Sequence, residues 1–288
     1  MMVYFNGRYL PKENVAISPD DRGFLFGDGV YEVIRSYQGR LFRCREHLER
    51  LGYGLNELRI ENADAQRLDR VAVQLLKENH LENKDATIYL EVTRGAAPRT
   101  HEFPPVGTKP TVYVEAKAFS PPERERQNGV SAILMSDQRW SRCDIKTINL
   151  LPNILAQQRA REAGAYEAIF SCDGLLQEGS HSSTLFVREG VLIAPPLTHR
   201  ILPSITRKVV FELAGAESIK AELRPCRESE LFDFEEVLMV GTASEIISIT
   251  RVNGKTIQDG CPGPVAQRLQ NAFDKIPAKR LTSDTRNP

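Results

Sequence analysis

The sequence has no surplus of charge of either sign. Its 288 residues carry 38 Lys and Arg against 38 Asp and Glu, so no global field draws in nucleic acid or an anionic membrane. A small molecule is the better expected partner. Cysteine is scarce too: Cys44, Cys143, Cys172, Cys226 and Cys261 are odd in number, widely spaced and free of any CxxC pair. That predicts reduced thiols and argues against a disulfide framework or a cysteine-ligated zinc. No apolar run reaches the length needed to cross a bilayer. The opening MMVYFNGRYL alternates apolar and polar residues and then turns at Asn6-Gly7, a hairpin pattern rather than a signal peptide. A soluble, cytoplasmic protein is the expectation.

Several catalytic signatures are missing as well. There is no GxGxxG behind a strand, no GxxxxGK[ST] and no GxSxG, so nucleotide cofactors and serine hydrolysis lack support. Asp and Glu are scattered without metal-ligand spacing, and neither solenoid repeats nor low-complexity tracts occur.

What is present is a chain too long for one typical core, which predicts one large or two moderate domains. VYFNGRYL and GDGVYEVIRSYQGRLF read as hairpins, the second around Gln38-Gly39. EHLERLGYGLNEL carries a helical stripe at Leu48, Leu51, Leu55 and Leu58, a second helix fits AQRLDRVAVQLLKENHL, and ATIYLEVTRG and PTVYVEAKAF read as strands. The paired prolines and charge run of AFSPPERERQNG, residues 118 to 129, break this pattern. The expected division is a small N-terminal domain over 1–118, a linker over 119–124 and a larger domain over 125–288. Strands and three helices follow the linker, and the polar tail LTSDTRNP is expected to fray.

In RCDIKTINLLPN, Lys146 sits between apolar residues in what reads as a strand of the larger domain, with Asp144, Lys146 and Ile148 on one face and Ile145, Thr147 and Asn149 on the other. It is either a snorkelling side chain or an amine held in a low-dielectric pocket for reaction. In EGSHSSTLF, Glu178 is a carboxylate in a Gly-Ser-rich turn that leads into an apolar strand. In ILPSITRKVVFELAGA, Ser204 stands at the N-cap of an amphipathic helix with Thr206 in its first turn, an end that suits a phosphate. VGTASEII carries a capping-box pattern from Thr242 to Glu245. Each feature has an ordinary structural reading. Together they supply what pyridoxal phosphate requires: a lysine for the imine, a carboxylate for the pyridine nitrogen, and dipoles with a cation for the phosphate.

The segments DRGFLFGDGVYEVIR, EHLERL, VTRGAAPRTHEFP, RCDIKTINLLPN, YEAIFSCDGLLQEGSHS, ILPSITR and GTASEI resemble the fold-type IV (class IV) aminotransferases, in order and spacing over nearly the whole chain. The likeness is closest to the D-amino acid branch of that family. It implies an α+β fold of two domains, a small α/β domain and a larger one with a barrel-like sheet, in a homodimer with pyridoxal 5'-phosphate between the domains. Lys146 would then bear the cofactor as an imine and Glu178 would pair with its ring nitrogen. Arg50 would hold the phosphate with Ile205, Thr206 and Thr242, and Ser180 and Leu202 would complete the cofactor contacts. Tyr31 with Arg99 and His101 resembles the carboxylate trap of D-amino acid enzymes, the last two reaching in from the partner subunit. Three positions depart from the family: Ser183 where Asn is usual, Ser204 where Gly is frequent, and Arg35 in place of Lys, which bears on the side chains accepted.

The reaction implied is exchange of amino and oxo groups between a D-amino acid, D-alanine foremost, and a 2-oxo acid, 2-oxoglutarate foremost, giving D-glutamate. The same family holds alternatives in branched-chain L-amino acid and (R)-amine aminotransferases and in aminodeoxychorismate-type lyases. A binding protein that keeps the fold without turnover is the alternative from another class.

Overall fold

The structure, a computed structural model, describes residues 1–283, with side chains through residue 276. The last five residues of the LTSDTRNP tail, which is expected to fray, lie outside the described residues. The chain divides into two units, one of Met1–Ser120 with Ile145–Leu150, the other of Pro121–Asp144 with the chain from Leu151 onward.

In the first unit, β1 (Met2–Phe5), β2 (Arg8–Pro11), β3 (Gly29–Tyr37), β4 (Arg40–Leu41), β5 (Ala86–Thr93) and β6 (Thr111–Ala118) form one antiparallel sheet in the order β2-β1-β6-β5-β3-β4. Both expected hairpins form. Their turns have positive φ at both central residues, 47° and 91° at Asn6-Gly7 and 47° and 80° at Gln38-Gly39, the geometry that matches strand twist. Between β2 and β3 lies a short helix, α1 (Arg22–Phe26).

Period-two alternation gives this sheet two different faces. Val30, Ile34, Ile88, Leu90 and Val114 join a core with Leu48, Leu51 and Leu55 of α2 (Cys44–Glu57) and Leu68, Val71 and Leu75 of α3 (Leu68–Glu78), apolar at helical spacing. The other face carries Tyr31, Tyr89, Glu91, Tyr113 and Glu115 by the strand register.

The lysine segment corrects two expectations. DIKTINLL is not a ladder strand, and Ile145–Leu150 packs with the first unit rather than with the larger one. Ile145 is buried in the first core, Thr147 makes an isolated bridge with Val30, and only two backbone bonds reach β3: Tyr31 N–H to Lys146 O at 3.0 Å and Ile148 N–H to Gly29 O at 3.1 Å. Tight turns then intervene, closed by Thr147 N–H to Ile145 O and Leu150 N–H to Ile148 O. The alternation survives only over the central four residues: Ile145 and Thr147 are buried and Lys146 and Ile148 half-buried, whereas Asp144 is buried and Asn149 exposed. Gly54 of α2 allows the close approach, since a Cβ there would stand 2.9 Å from Val30 Cγ1 and 3.6 Å from Ile145 Cγ2.

The second unit opens with α4 (Glu123–Asn128) and continues through β7 (Val130–Ser136), α5 (Leu151–Glu162), β8 (Glu167–Cys172), β9 (Leu175–Gly179), β10 (Ser183–Arg188), β11 (Val191–Ala194), α6 (Ile205–Ala216), β12 (Ala221–Leu223), β13 (Cys226–Arg227), β14 (Glu236–Gly241), β15 (Glu245–Val252), β16 (Lys255–Thr256) and α7 (Pro264–Ser283). Its ten-stranded sheet runs β12-β11-β10-β14-β15-β7-β8-β9-β13, with β16 on β15. β9 and β10 are five places apart in that order, yet the Thr184 hydroxyl on β10 donates to Gln177 O on β9 at 2.8 Å. The sheet therefore rolls back on itself. Phe186, Phe234, Met239 and Ile247 lie in the core of this unit. All five cysteines are free thiols. Among the described residues, no helix is long and apolar enough to cross a membrane.

Candidate active site

Lys146 presents its amine to Tyr31. The Nζ atom lies 3.2 Å from the Tyr31 hydroxyl and 4.3 Å from the centre of its ring. The backbone on either side is fixed by buried Ile145 and Thr147, so a half-buried aliphatic stem carries the ammonium to a defined place. The Tyr31 ring in turn leans on Tyr89 at 5.8 Å, whose hydroxyl donates to Glu91 Oε2 at 2.6 Å. Burial and the adjoining Glu91 carboxylate push the Tyr89 phenol far above its ordinary value, so it stays a neutral donor.

Arg50 belongs to a buried charge cluster on the core side of the same sheet. Its Nε and Nη2 donate to Glu32 Oε1 and Oε2 at 2.6 and 2.9 Å, and His47 Nδ1 meets Glu32 Oε2 at 2.7 Å. Burial works to raise the proton affinity of Glu32, but the Arg50 guanidinium and His47 outweigh it and hold the carboxyl well below the usual carboxylate range. One carboxylate thus fixes the plane and position of the guanidinium.

In the second unit Glu178 is buried near the end of β9, on the strand rather than in the turn expected for it. Arg139 Nη1 donates to its Oε1 at 2.6 Å, and the amide of Leu202 reaches both carboxylate oxygens at 3.2 and 3.3 Å. Ser204 caps α6 as expected, its hydroxyl accepting from Arg207 N–H at 3.1 Å. Among the described residues, the amides of Ile205 and Thr206 and the hydroxyl of Thr206, a largely buried residue, have no hydrogen-bond partner. Such donors at a helix N-terminus form an anion site.

Ser180 lies in the β9–β10 turn, its hydroxyl donating to Gln157 Oε1 at 2.9 Å. Thr242 lies in the β14–β15 turn. Pairing of Ser183 with Val240 puts the two turns at one end of the sheet. The capping-box expectation at Thr242–Glu245 is corrected here: residues 242–244 form a hairpin turn and Glu245 opens β15, so no helix follows. The Glu245 carboxylate instead accepts from Gln270 at 2.8 Å and pairs with Arg126 at 3.1 Å.

Arg99 and His101 stand on an exposed loop around the Phe26 ring, 5.3 and 5.9 Å from its centre. Among the described residues, no hydrogen bond, ion pair or ring contact joins either of them to Tyr31 or Lys146. Arg35 lies on the Tyr31 face of β3, buried, with Nη2 on Asp85 Oδ2 at 2.6 Å and its guanidinium 3.8 Å from the Phe119 ring.

The residue pattern and fold agree with known proteins. The model of amino-transferase class IV matches residues 29–252. The chain belongs to the class IV aminotransferases. It is 41% identical over 274 residues to D-alanine aminotransferase of Bacillus licheniformis, covering 95% of this chain and 96% of that protein. Among solved structures, the branched-chain amino acid aminotransferase of Escherichia coli superposes with a TM-score of 0.88 at 28% identity, covering 96% of this chain and 93% of the other. The branched-chain enzyme of T.th., complexed with N-(5'-phosphopyridoxyl)-L-glutamate, gives 0.85 at 26% identity, covering 95% and 93%.

This aminotransferase depends on pyridoxal phosphate, and its residues fit that group. The unpartnered donors at the start of α6 suit a phosphate, Arg50 is a held cation, Glu178 is a buried carboxylate with fixed orientation, and Lys146 is an amine with a phenol for partner. Residue patterns alone did not single out Arg139, Glu32 and His47. Glu32 was legible in principle: it sits mid-strand between apolar residues in VYEVI, on the core face by the same period-two argument that marks Lys146. Arg139 carries no such signal.

Proposed function

We propose that this chain transfers the amino group of a D-amino acid, with D-alanine preferred, to a 2-oxo acid such as 2-oxoglutarate, leaving D-glutamate. The observation that carries the reading is the Lys146 amine beside the Tyr31 phenol at 3.2 Å, in a unit whose exposed loop presents Arg99 and His101. Identity to a D-alanine aminotransferase over nearly the full length supports it.

When bound, pyridoxal phosphate supplies the electron sink that lets a proton leave the substrate Cα. Lys146 would hold the cofactor, and its free amine would accept the proton from the substrate Cα and deliver it to the cofactor's C4′, two bonds away. Glu178 holds the proton on the ring nitrogen. It can do so without turning, because Leu202 N–H and Arg139 already fix its oxygens. Arg50, the amides of Ile205 and Thr206, and Thr242 bind the phosphate, and Ser180 supports the turn beside it. Tyr31, Arg99 and His101 bind the substrate carboxylate, offering a phenol, a guanidinium and an imidazole to replace the water it loses. In this reading the protein is a homodimer, and Arg99 and His101 serve the partner's site. Their exposure around Phe26, away from Tyr31 in their own chain, is what that requires.

The likeness to solved branched-chain enzymes favours one second reading, transamination of branched-chain L-amino acids. A panel of D- and L-amino acids with 2-oxoglutarate, followed by chiral analysis of the glutamate formed, separates the two. D-Glutamate from D-alanine supports the proposal, and L-glutamate from L-leucine or L-valine overturns it.

A further inference from the structure

The segment DRGFLFGDG is prominent in the sequence and has no part in the chemistry above. Of its charged residues, Asp21 and Arg22 are buried and Asp28 is half-buried: Arg22 is 4% exposed, and Arg94, which reaches the segment from the end of β5, is 7% exposed. Buried guanidinium groups must be paired, and both converge on Asp28. Arg22 Nε and Arg94 Nε donate to Asp28 Oδ2 at 2.8 and 2.7 Å, and Arg94 Nη2 donates to Oδ1 at 2.9 Å.

Arg22 also reaches outward, through Nη1, to the Arg99–His101 loop. Nη1 bonds Thr100 O at 2.8 Å and Glu102 O at 3.4 Å, the carbonyls that flank His101. The Phe26 ring stands between Arg22 at 4.7 Å and the side chains of Arg99 and His101. A second tether lies just beyond, where the Arg94 guanidinium packs 3.9 Å from the ring of Phe103, while its Nη1 and Nη2 bond Arg59 O and Leu58 O at 2.9 and 2.7 Å. The loop itself has no regular secondary structure over residues 98–103 and is exposed. An irregular surface segment does not hold a guanidinium to within an ångström unaided.

We infer that Arg22 and Arg94, bridged by Asp28, are positioning residues that set the Arg99–His101 loop for the substrate carboxylate. The inference rests on the carboxylate-trap reading of that loop and adds the device that makes it rigid. It holds whichever copy of the chain the loop serves. The anchor touches neither the lysine nor the phosphate donors, so its loss acts on substrate binding and leaves cofactor binding in place.

The test measures, for Arg22→Ala holoenzyme, the KM for D-alanine and the Kd for pyridoxal phosphate by titration of cofactor absorbance. The expected result is a KM raised by about 10-fold or more, the factor commanded by one hydrogen bond to a charge, with Kd changed less than about 2-fold. An unchanged KM, or KM and Kd rising together as a general loss of structure would make them, overturns the inference. Should Arg22→Ala fail to fold, Phe26→Leu removes the ring that the loop packs on without removing a buried charge, and the same two outcomes apply. Arg99→Ala, measured alongside, separates the two levels. If it leaves the D-alanine KM unchanged the trap reading itself fails, whereas a raised KM in Arg99→Ala with none in Arg22→Ala and Phe26→Leu removes the anchor alone.

Discussion

Arg139 donates to Glu178 from 2.6 Å while its other edge grips Asp137, with Nε on Oδ1 at 3.0 Å and Nη2 on Oδ2 at 2.8 Å. Burial works to lower the proton affinity of this guanidinium, but Asp137 and Glu178 outweigh it and hold the charge in place above its ordinary value. The carboxylate expected to meet the cofactor nitrogen is therefore one end of a buried Asp–Arg–Glu chain, seated over the Phe170 ring at 4.5 Å from the guanidinium.

Breaking that chain by Arg139→Ala leaves two buried carboxylates facing each other without their cation. The expected cost is about 3–5 kcal/mol of stability, read from urea unfolding of the protein without added cofactor. A loss under about 1 kcal/mol would contradict the account. Glu178→Gln is gentler: the lysine-bound cofactor persists, and turnover falls by at least about 10-fold, because a neutral amide does not hold a pyridinium proton as a carboxylate does. Wild-type turnover in this variant would remove the electron-sink role.

Glu32 makes stability depend on pH. Its carboxyl is held below the usual range in the folded state, so it contributes stability that is present above the ordinary carboxylate pKa of about 4.3 and is lost as pH falls towards the folded value. In Glu32→Gln that contribution is absent at every pH. The variant is expected to lose about 3 kcal/mol at pH 7, where Arg50 is left without its bidentate partner, and the gap from wild type is expected to close below about pH 4. Urea unfolding at a series of pH values checks both parts. A gap independent of pH would show that Glu32 is not a depressed, paired carboxylate. On the proposed role of Arg50 in phosphate binding, cofactor affinity should also fall, since its guanidinium is no longer oriented.

Much of the architecture was legible because it is local. Asn6-Gly7 and Gln38-Gly39 announce their hairpins, the α2 stripe announces its buried face, and Ser204 announces its helix. Lys146 stands out as an odd residue in an apolar pattern, but the strand that the pattern predicts around it does not form, because alternation reports which side is buried and not whether a ladder exists. Ile145 and Thr147 do face inward, against the core and sheet of the first unit. Thr242–Glu245 departs from its pattern for a related reason: a capping-box spacing and a hairpin turn share residue types, and only the strand after it decides. The grip of Arg139 on Glu178 and of Arg22 on the Thr100 carbonyl joins residues 39 and 78 positions apart, and no periodicity encodes such pairs.

Arg99→Ala should lower kcat/KM for D-alanine by at least about 10-fold, the value of a charge-assisted hydrogen bond to the substrate carboxylate. A carboxylate-free (R)-amine should lose far less. Equal losses on the two substrates would remove the carboxylate as the basis of selectivity.

If the loop serves the partner subunit, an Arg99→Ala protomer mixed with a Lys146→Ala protomer gathers both lesions at one site of the heterodimer. The other site keeps its own Lys146 and receives a native Arg99. Activity is then expected to recover towards half of wild type per heterodimer. No recovery after demonstrated subunit exchange would place Arg99 in its own chain's site.

The central claim is that Lys146, placed beside Tyr31 by a segment that is not a strand, is the lysine that carries the cofactor. Borohydride reduction of the pyridoxal-phosphate-loaded protein, followed by peptide mapping, tests it directly. The account predicts one labelled peptide, containing Lys146, and no label in Lys146→Ala. Label on any other lysine of the native protein would contradict it.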